Sequence, residues 1–266
     1  MSGHVTLEWD DRGGVTVVMD GTPQSHVQPD DPTVLVFEYV QHLAAVVRVL
    51  APGPLAVTHV GGAGLTLPRW VEATRPGSPQ IVLEPDAALT ELVRREVPLP
   101  RRHRIRVRAQ DGLTGVSALA DSSADVVVTD AYAAGRVPGE LTHTAYVEQV
   151  TRVLRHSGAA LWNLADEPGL RYVARVVATV RQHLPHAALL ATHEVLKGRR
   201  FGNAVLAASR VPLPLDALRR EVASAALPTG VRAERELDRL GGGGRPFVAD
   251  SCASPPPPDA RGWRVR

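Results

Sequence analysis

Four stretches of the 266-residue chain carry residue types suited to holding a polar small molecule. Gly61-Gly62-Ala63-Gly64 follows an apolar run at residues 55–60 and precedes a helix signal. Small residues at a strand-to-helix turn let a ligand approach the backbone, and the helix N-terminus favours polar or negative groups. Glu84 closes the next apolar run, 23 residues after Gly61. A carboxylate there accepts hydrogen bonds from both hydroxyls of a ribose. Asp111-Gly112 follows a third run, where a carboxylate can accept from the exocyclic amine of adenine. Asp130 ends a fourth, behind Val126-Val127-Val128, so its carboxylate emerges at the carboxyl edge of a sheet. Each stretch also has a plain structural reading: a packing turn, a cap before Pro85, an Asp-Gly turn, a loop cap. Four in register on consecutive strands point instead to a nucleoside site, because open parallel sheets bind ligands beyond the carboxyl ends of their strands. A dinucleotide is the competing ligand, but its Gly-x-Gly-x-x-Gly pattern, started at Gly62, meets Gly64 and then Leu67.

The elements that must position these residues alternate along the chain. Residues 5–28 read as short strands with a turn at Asp20-Gly21, and Asp31-Pro32 opens a helix that ends at Pro52-Gly53-Pro54. Strands follow at 55–60, 80–84, 104–109, 125–130 and 159–164, separated by helices at 68–74, 86–96 and 144–154, with another at 170–183. Strands at 187–192 and 203–208, joined by a loop, read as an antiparallel hairpin at the sheet edge, and a last helix spans 215–226. Strands joined through helices imply a parallel sheet with right-handed crossovers. The expected fold is α/β: a doubly wound, mostly parallel seven-stranded sheet with a small N-terminal β-hairpin domain. The divisions are 1–30 for the β-domain, 31–228 for the α/β domain, and 229–266 for a flexible or loosely docked tail. The four-glycine run at 241–244 and the four-proline run at 255–258 mark that tail.

Composition narrows the function classes. Hydrophobic residues make up 44% and aromatics only 4%, so the core is expected to be Val, Leu and Ala. No 18-residue apolar stretch implies a membrane span, and Met1-Ser2-Gly3-His4 shows no secretory signal, so a cytoplasmic setting is expected. Cys252 is the sole cysteine, which excludes a disulfide framework and a cysteine zinc site. The ten histidines show no metal-binding spacing on one element, so no metal is expected. Net charge is only +2, and the densest basic run, residues 101–104, reads as a solvated loop rather than a nucleic-acid surface.

Here a family resemblance becomes specific. From about Val15 to Ser209 the chain resembles the spermidine synthases, which share the class I S-adenosylmethionine-dependent methyltransferase fold. Met19-Asp20-Gly21-Thr22-Pro23-Gln24 is similar to that family's Leu-Asp-Gly-x-x-Gln segment, and Gly61-Gly62-Ala63-Gly64 to its glycine loop. Val137-Pro138 and Leu141-Thr142 resemble the segment after its catalytic aspartate. The resemblance implies that Gln24, Gly61, Gly62, Gly64, Glu84, Asp111 and Gly112 hold the nucleoside. It implies that Asp130 orients, or takes a proton from, an attacking amine. The co-substrate would be S-adenosylmethionine or its decarboxylated form, and the partner a small-molecule amine or other nucleophile; a homodimer is compatible with this.

Three places depart from the family pattern. The loop is Gly-Gly-Gly-Asp-Gly in the family, and Gly64 stands at the aspartate's place, which removes both an amine contact and a repulsion against an intact donor's carboxylate. The family's Tyr-His-Glu reads Val36-Phe37-Glu38 here, and Asp130 is followed by Ala131-Tyr132 rather than by further acids. Three readings therefore stay open: aminopropyl or related transfer to an amine, methyl transfer from intact S-adenosylmethionine, and nucleoside binding without catalysis.

Overall fold

The computed structural model describes residues 4–240, 244–248 and 252–258. It opens with a three-stranded antiparallel sheet: β1 (Val5–Trp9), β2 (Val15–Met19) and β3 (Thr22–Val27). Asp20 and Gly21 turn the β2–β3 hairpin with φ of 48° and 74°, the left-handed backbone that a two-residue hairpin demands. Helix α1 (Glu38–Val49) begins later than Asp31-Pro32 suggests. Asp31 instead bonds the amide and hydroxyl of Thr33, a local turn that competes with helix.

The chain then alternates: β4 (Val57–Val60), α2 (Thr66–Thr74), β5 (Gln80–Leu83), α3 (Ala87–Glu96), β6 (Ile105–Arg108), α4 (Gly112–Ser117) and β7 (Ala124–Thr129). A 3₁₀ turn at Gly139–Leu141 leads to α5 (Thr144–Val153), β8 (Leu154–Asp166), α6 (Arg171–Val180), β9 (His186–Thr192), α7 (His193–Leu196) and β10 (Gly202–Ser209). Helix α8 (Leu215–Ala223), β11 (Thr229–Ala233) and α9 (Arg235–Asp238) follow. The large sheet has the order β11-β9-β10-β8-β7-β4-β5-β6. Its β4, β5, β6, β7 and β8 pair in parallel, and β10 pairs antiparallel with both β8 and β9. Strand order reverses at β4, between β5 and β7, which puts the carboxyl ends of those three strands around one crevice.

This is the expected α/β fold with two corrections. The sheet has eight strands rather than seven, because Thr229–Ala233 pairs antiparallel with β9; His42 Nε2 lies 2.9 Å from Thr229 Oγ1 and ties that strand to α1. The β9–β10 connection carries the short helix α7.

The boundary at 229 therefore moves, and the described parts of the tail are docked. Phe247 is 1% exposed. Its ring centroid lies 5.7 Å from that of Tyr172, and the Arg175 guanidinium stands over it at 3.9 Å. Its amide donates to Thr179 Oγ1 at 2.9 Å, and its carbonyl accepts from Thr144 N and Oγ1. Further on, Ser254 N donates to the Val137 carbonyl at 3.1 Å and Val137 N donates to Ser254 Oγ at 2.9 Å. Gly241, Gly242 and Gly243 of the glycine run lie outside the described residues.

Val, Leu and Ala dominate both faces of the large sheet, with Trp70, Trp162, Tyr146 and Phe247 the largest fully buried side chains. The small β-sheet packs on α3 through Val15, Val17, Val27, Leu89, Val93 and Val97. That contact brings β3 and the glycine loop together, where Gly64 N donates to Ser25 Oγ at 2.8 Å. Among the described residues no helix is long and apolar enough to cross a membrane.

Candidate active site

A cleft of about 280 Å³ opens beyond the carboxyl ends of β4, β5 and β7, at the lower end of the volumes that small-molecule sites occupy. Gln24, Gly61, Gly62, Glu84, Asp111, Gly112 and Asp130 all line it. Tyr39 and Tyr132 line it too.

Two glycines are required by close approach. Gly61 has φ of 91°, and a Cβ on it would stand 2.1 Å from the Asp130 carbonyl oxygen. A Cβ on Gly112 would stand 2.3 Å from Val60 Cγ1. The loop is thus seated directly on the end of β7, where Asp130 N donates to the Val60 carbonyl at 2.8 Å.

Glu84 braces the loop. Its Oε2 accepts from Gly62 N at 2.9 Å and Ala63 N at 3.4 Å, and its Oε1 accepts from Asp86 N at 3.0 Å. A carboxylate offers about four acceptor sites, so capacity remains on the side facing the cleft. Asp111 caps α4 by accepting from Thr114 N at 2.8 Å, and that bond holds its carboxyl below the usual carboxylate range.

Gly64 sits where the loop meets the β-domain. It does not line the cleft, and a Cβ on it would meet Ser25 Oγ at 2.5 Å and Val27 Cγ2 at 3.1 Å. Its glycine serves the packing of loop on β-domain, and a side chain there would press on Ser25, which itself lines the cleft. Gly64→Ala and Gly64→Asp are both expected to lower stability, by about 1–3 kcal/mol as overpacking does. They should shift affinity for intact and decarboxylated S-adenosylmethionine by the same factor. Thermal melting and paired calorimetry check this; an aspartate variant that discriminates between the donors would restore Gly64 to the donor's surroundings.

Asp130 sits in a network that spacing alone does not show. Asn163 Nδ2, from β8, donates to Asp130 Oδ1 at 2.8 Å. Asn203 Nδ2, from β10, donates at 2.9 Å to both Asn163 Oδ1 and Tyr132 Oη. An ionised carboxylate only accepts, so Asn163 presents its amino group to Asp130 and its oxygen to the amino group of Asn203. Burial pushes the Asp130 carboxyl up to about 6, and the Asn163 bond opposes that rise. Burial first, and the neighbouring Asp130 second, keep the phenols of Tyr39 and Tyr132 well above their ordinary range. Tyr39 donates to the Gln24 carbonyl at 3.3 Å, which ties α1 to β3 at the mouth. Trp162, beside Asn163, belongs to the core, with Nε1 donating to the Leu141 carbonyl at 3.2 Å. Among the described residues no group of three His, Cys, Asp or Glu side chains is placed to hold a metal ion.

No protein-family model matches the chain, and no curated protein does. Solved structures match it strongly. A human methyltransferase-like protein 13 in complex with SAH superposes with a TM-score of 0.55 at 22% identity, over 71% of this chain and 94% of that one. The fold is thus of the methyltransferase-like α/β class. Spermidine synthases match more fully. A probable spermidine synthase from Corynebacterium glutamicum ATCC 13032 gives a TM-score of 0.85 at 27% identity, over 92% of this chain and 93% of that one. A spermidine synthase in complex with the transition state analogue AdoDATO gives 0.65 at 18% identity, over 91% and 85%. The chain is spermidine-synthase-like in structure, and the proteins it resembles are transferases.

Proposed function

We propose that the protein is a transferase. It binds an S-adenosylmethionine-type nucleoside in the cleft and passes an aminopropyl or related group to an amine acceptor. The observation that carries this reading is the placement of Asp130: a desolvated carboxylate at the switch point of the sheet, oriented by Asn163 and seated against a glycine loop. The match to a probable spermidine synthase over 92% of the chain supports it.

The residues present fit such a nucleoside. Gly61, Gly62 and Gly112 leave room for it, the free side of Glu84 faces ribose hydroxyls, and Asp111 and Gln24 offer acceptors at the walls. A sulfonium donor brings an activated carbon whose bond to sulfur breaks with the electron pair leaving on sulfur. The Asp130 carboxylate gives the donor's positive charge a favourable neighbour. Asp130 takes the proton that the attacking nitrogen loses as its bond to carbon forms. Displacement of this kind depends mainly on positioning, which the amide-held carboxylate supplies.

Glu84→Ala tests the nucleoside half. Three backbone donors lose their acceptor together with the ribose. Methylthioadenosine affinity should therefore fall tenfold or more, and stability by about 1–3 kcal/mol. Calorimetry read beside a melting curve checks both; unchanged affinity in the folded variant would remove Glu84 from the site. Methyl transfer is the second reading, favoured by one observation: Gly61, Gly62 and Ala63 present no side-chain carboxylate that would repel an intact donor. Titrating intact and decarboxylated S-adenosylmethionine side by side separates the two.

A further inference from the structure

Carboxylates are unevenly placed around the cleft. Four of them line it: Glu84, Asp111, Asp130 and Glu140. Glu84 is engaged by three backbone amides, and Asp111 caps α4. Glu140 stands on the 3₁₀ turn, whose Leu141 would lie 3.0 Å from a Cβ on Gly112, and so belongs to the Asp111 end. At the other end Asp130 is the single carboxylate among the described lining residues, and Asn163 occupies one of its oxygens. The wall beside it includes Tyr39, Tyr132, Ala131 and Ala133, with the uncharged Gln24 tied to Tyr39. Glu38, beside Tyr39, is paired with Arg200 at 3.1 Å, so its charge is already compensated.

From this we infer that the acceptor is a monoamine, one basic nitrogen on an uncharged remainder; the inference rests on the transferase reading above. The reacting nitrogen meets Asp130 as the free amine and gives it a proton as the bond to carbon forms. A second ammonium, as on a diamine, would give up water for phenols, an amide and methyl groups, with no further carboxylate at that end among the described lining residues. Removing a charge from water without a partner is costly, and a wall that leaves such a charge unpaired selects against its bearer. The phenols suit a neutral remainder. Tyr132 Oη already accepts from Asn203, and its own hydrogen is held only by a 3.5 Å bond to the Asn163 carbonyl.

The test uses the full-length chain loaded with methylthioadenosine. n-Butylamine and 1,4-diaminobutane, equal in carbon count, are titrated by calorimetry, and turnover is then compared with decarboxylated S-adenosylmethionine as donor. The monoamine is expected to be favoured at least about tenfold in Kd and in kcat/KM. Ala133→Asp places a carboxylate at an exposed lining position and should reverse the order. If that variant does not fold, Ala131→Asp, at the other alanine of that wall, should raise the diamine's relative affinity. Failure of methylthioadenosine to bind overturns the nucleoside reading and this inference with it. Methylthioadenosine that binds while the diamine is equal or preferred, or while neither amine binds, overturns this inference alone, as does a folded carboxylate variant with no gain for the diamine.

Discussion

Asp130→Asn should abolish most of the transfer activity while leaving methylthioadenosine affinity within a few-fold of the original. Loss of a positioned proton acceptor costs about 10²–10⁴-fold in rate. The amide is nearly isosteric, and its oxygen still accepts from Asn163, so the fold should survive. The pH profile should change as well. Asp130 titrates near 6 in the folded protein because burial disfavours its charge. Activity that needs the ionised carboxylate falls as pH drops through that value. The variant should lose that limb, and Asn163→Ala, which removes the bond opposing the rise, should move it to higher pH. Stability runs the other way. A carboxyl whose folded pKa is raised contributes stability that is fully present below its unfolded value and is lost as pH rises through its folded value. Between about pH 4 and 6 the original protein should therefore weaken as pH rises, and Asp130→Asn should not. Urea denaturation across that window reads the difference. An unchanged rate in the asparagine variant would remove Asp130 from the chemistry.

What could be read in advance about this site, and what could not, has a physical cause. Glu84 and Asp130 are legible because each ends an apolar run at a strand's carboxyl end, and Asp111 because it follows an alternating strand, and parallel strands place such residues on one edge. Asn163 and Asn203 are not. They lie 40 residues apart and meet only because β10 turns back antiparallel onto β8, with Asn163 paired in register to Val205. Nothing local in either strand announces that pairing. The surroundings of Gly64 are hidden for a related reason: a glycine in a loop carries no sign of which way its missing side chain would point, and its neighbour Ser25 comes from another sheet. Strand β11 is hard to read because Gly230 separates its two β-branched residues, Thr229 and Val231, and it gains its place by covering the β9 edge. The tail was misread through composition. Glycine and proline runs suggest a linker, yet one phenylalanine and one serine between them are enough to fasten the chain.

Truncation after Leu240 should therefore melt far below the full-length protein, against the dispensability that the glycine and proline runs suggest. Phe247→Ala alone should cost about 3–5 kcal/mol, the usual range for emptying a buried aromatic site. That ring fills the space beside Tyr172 and under Arg175. A truncation after Val248 separates two roles of the tail. It keeps Phe247 but removes Ser254, whose amide and hydroxyl bond both sides of Val137, and Pro257, which lies 3.1 Å from where a Gly135 Cβ would stand. Arg136, whose guanidinium bonds the Ser254 carbonyl, would lose that partner as well. Residues 135–137 join Asp130 and Tyr132 to Pro138 and Leu141, all of which line the cleft. The shorter cut should leave most of the thermal stability in place, because the buried ring stays. It should weaken methylthioadenosine and acceptor binding severalfold, because the segment that walls the cleft has lost its clamp. Melting curves and calorimetry on the two truncations decide the point. Equal stability loss from both would place the fastening at Ser254 rather than Phe247, and unaltered binding in the shorter cut would show that the loop after Asp130 holds its shape without the clamp.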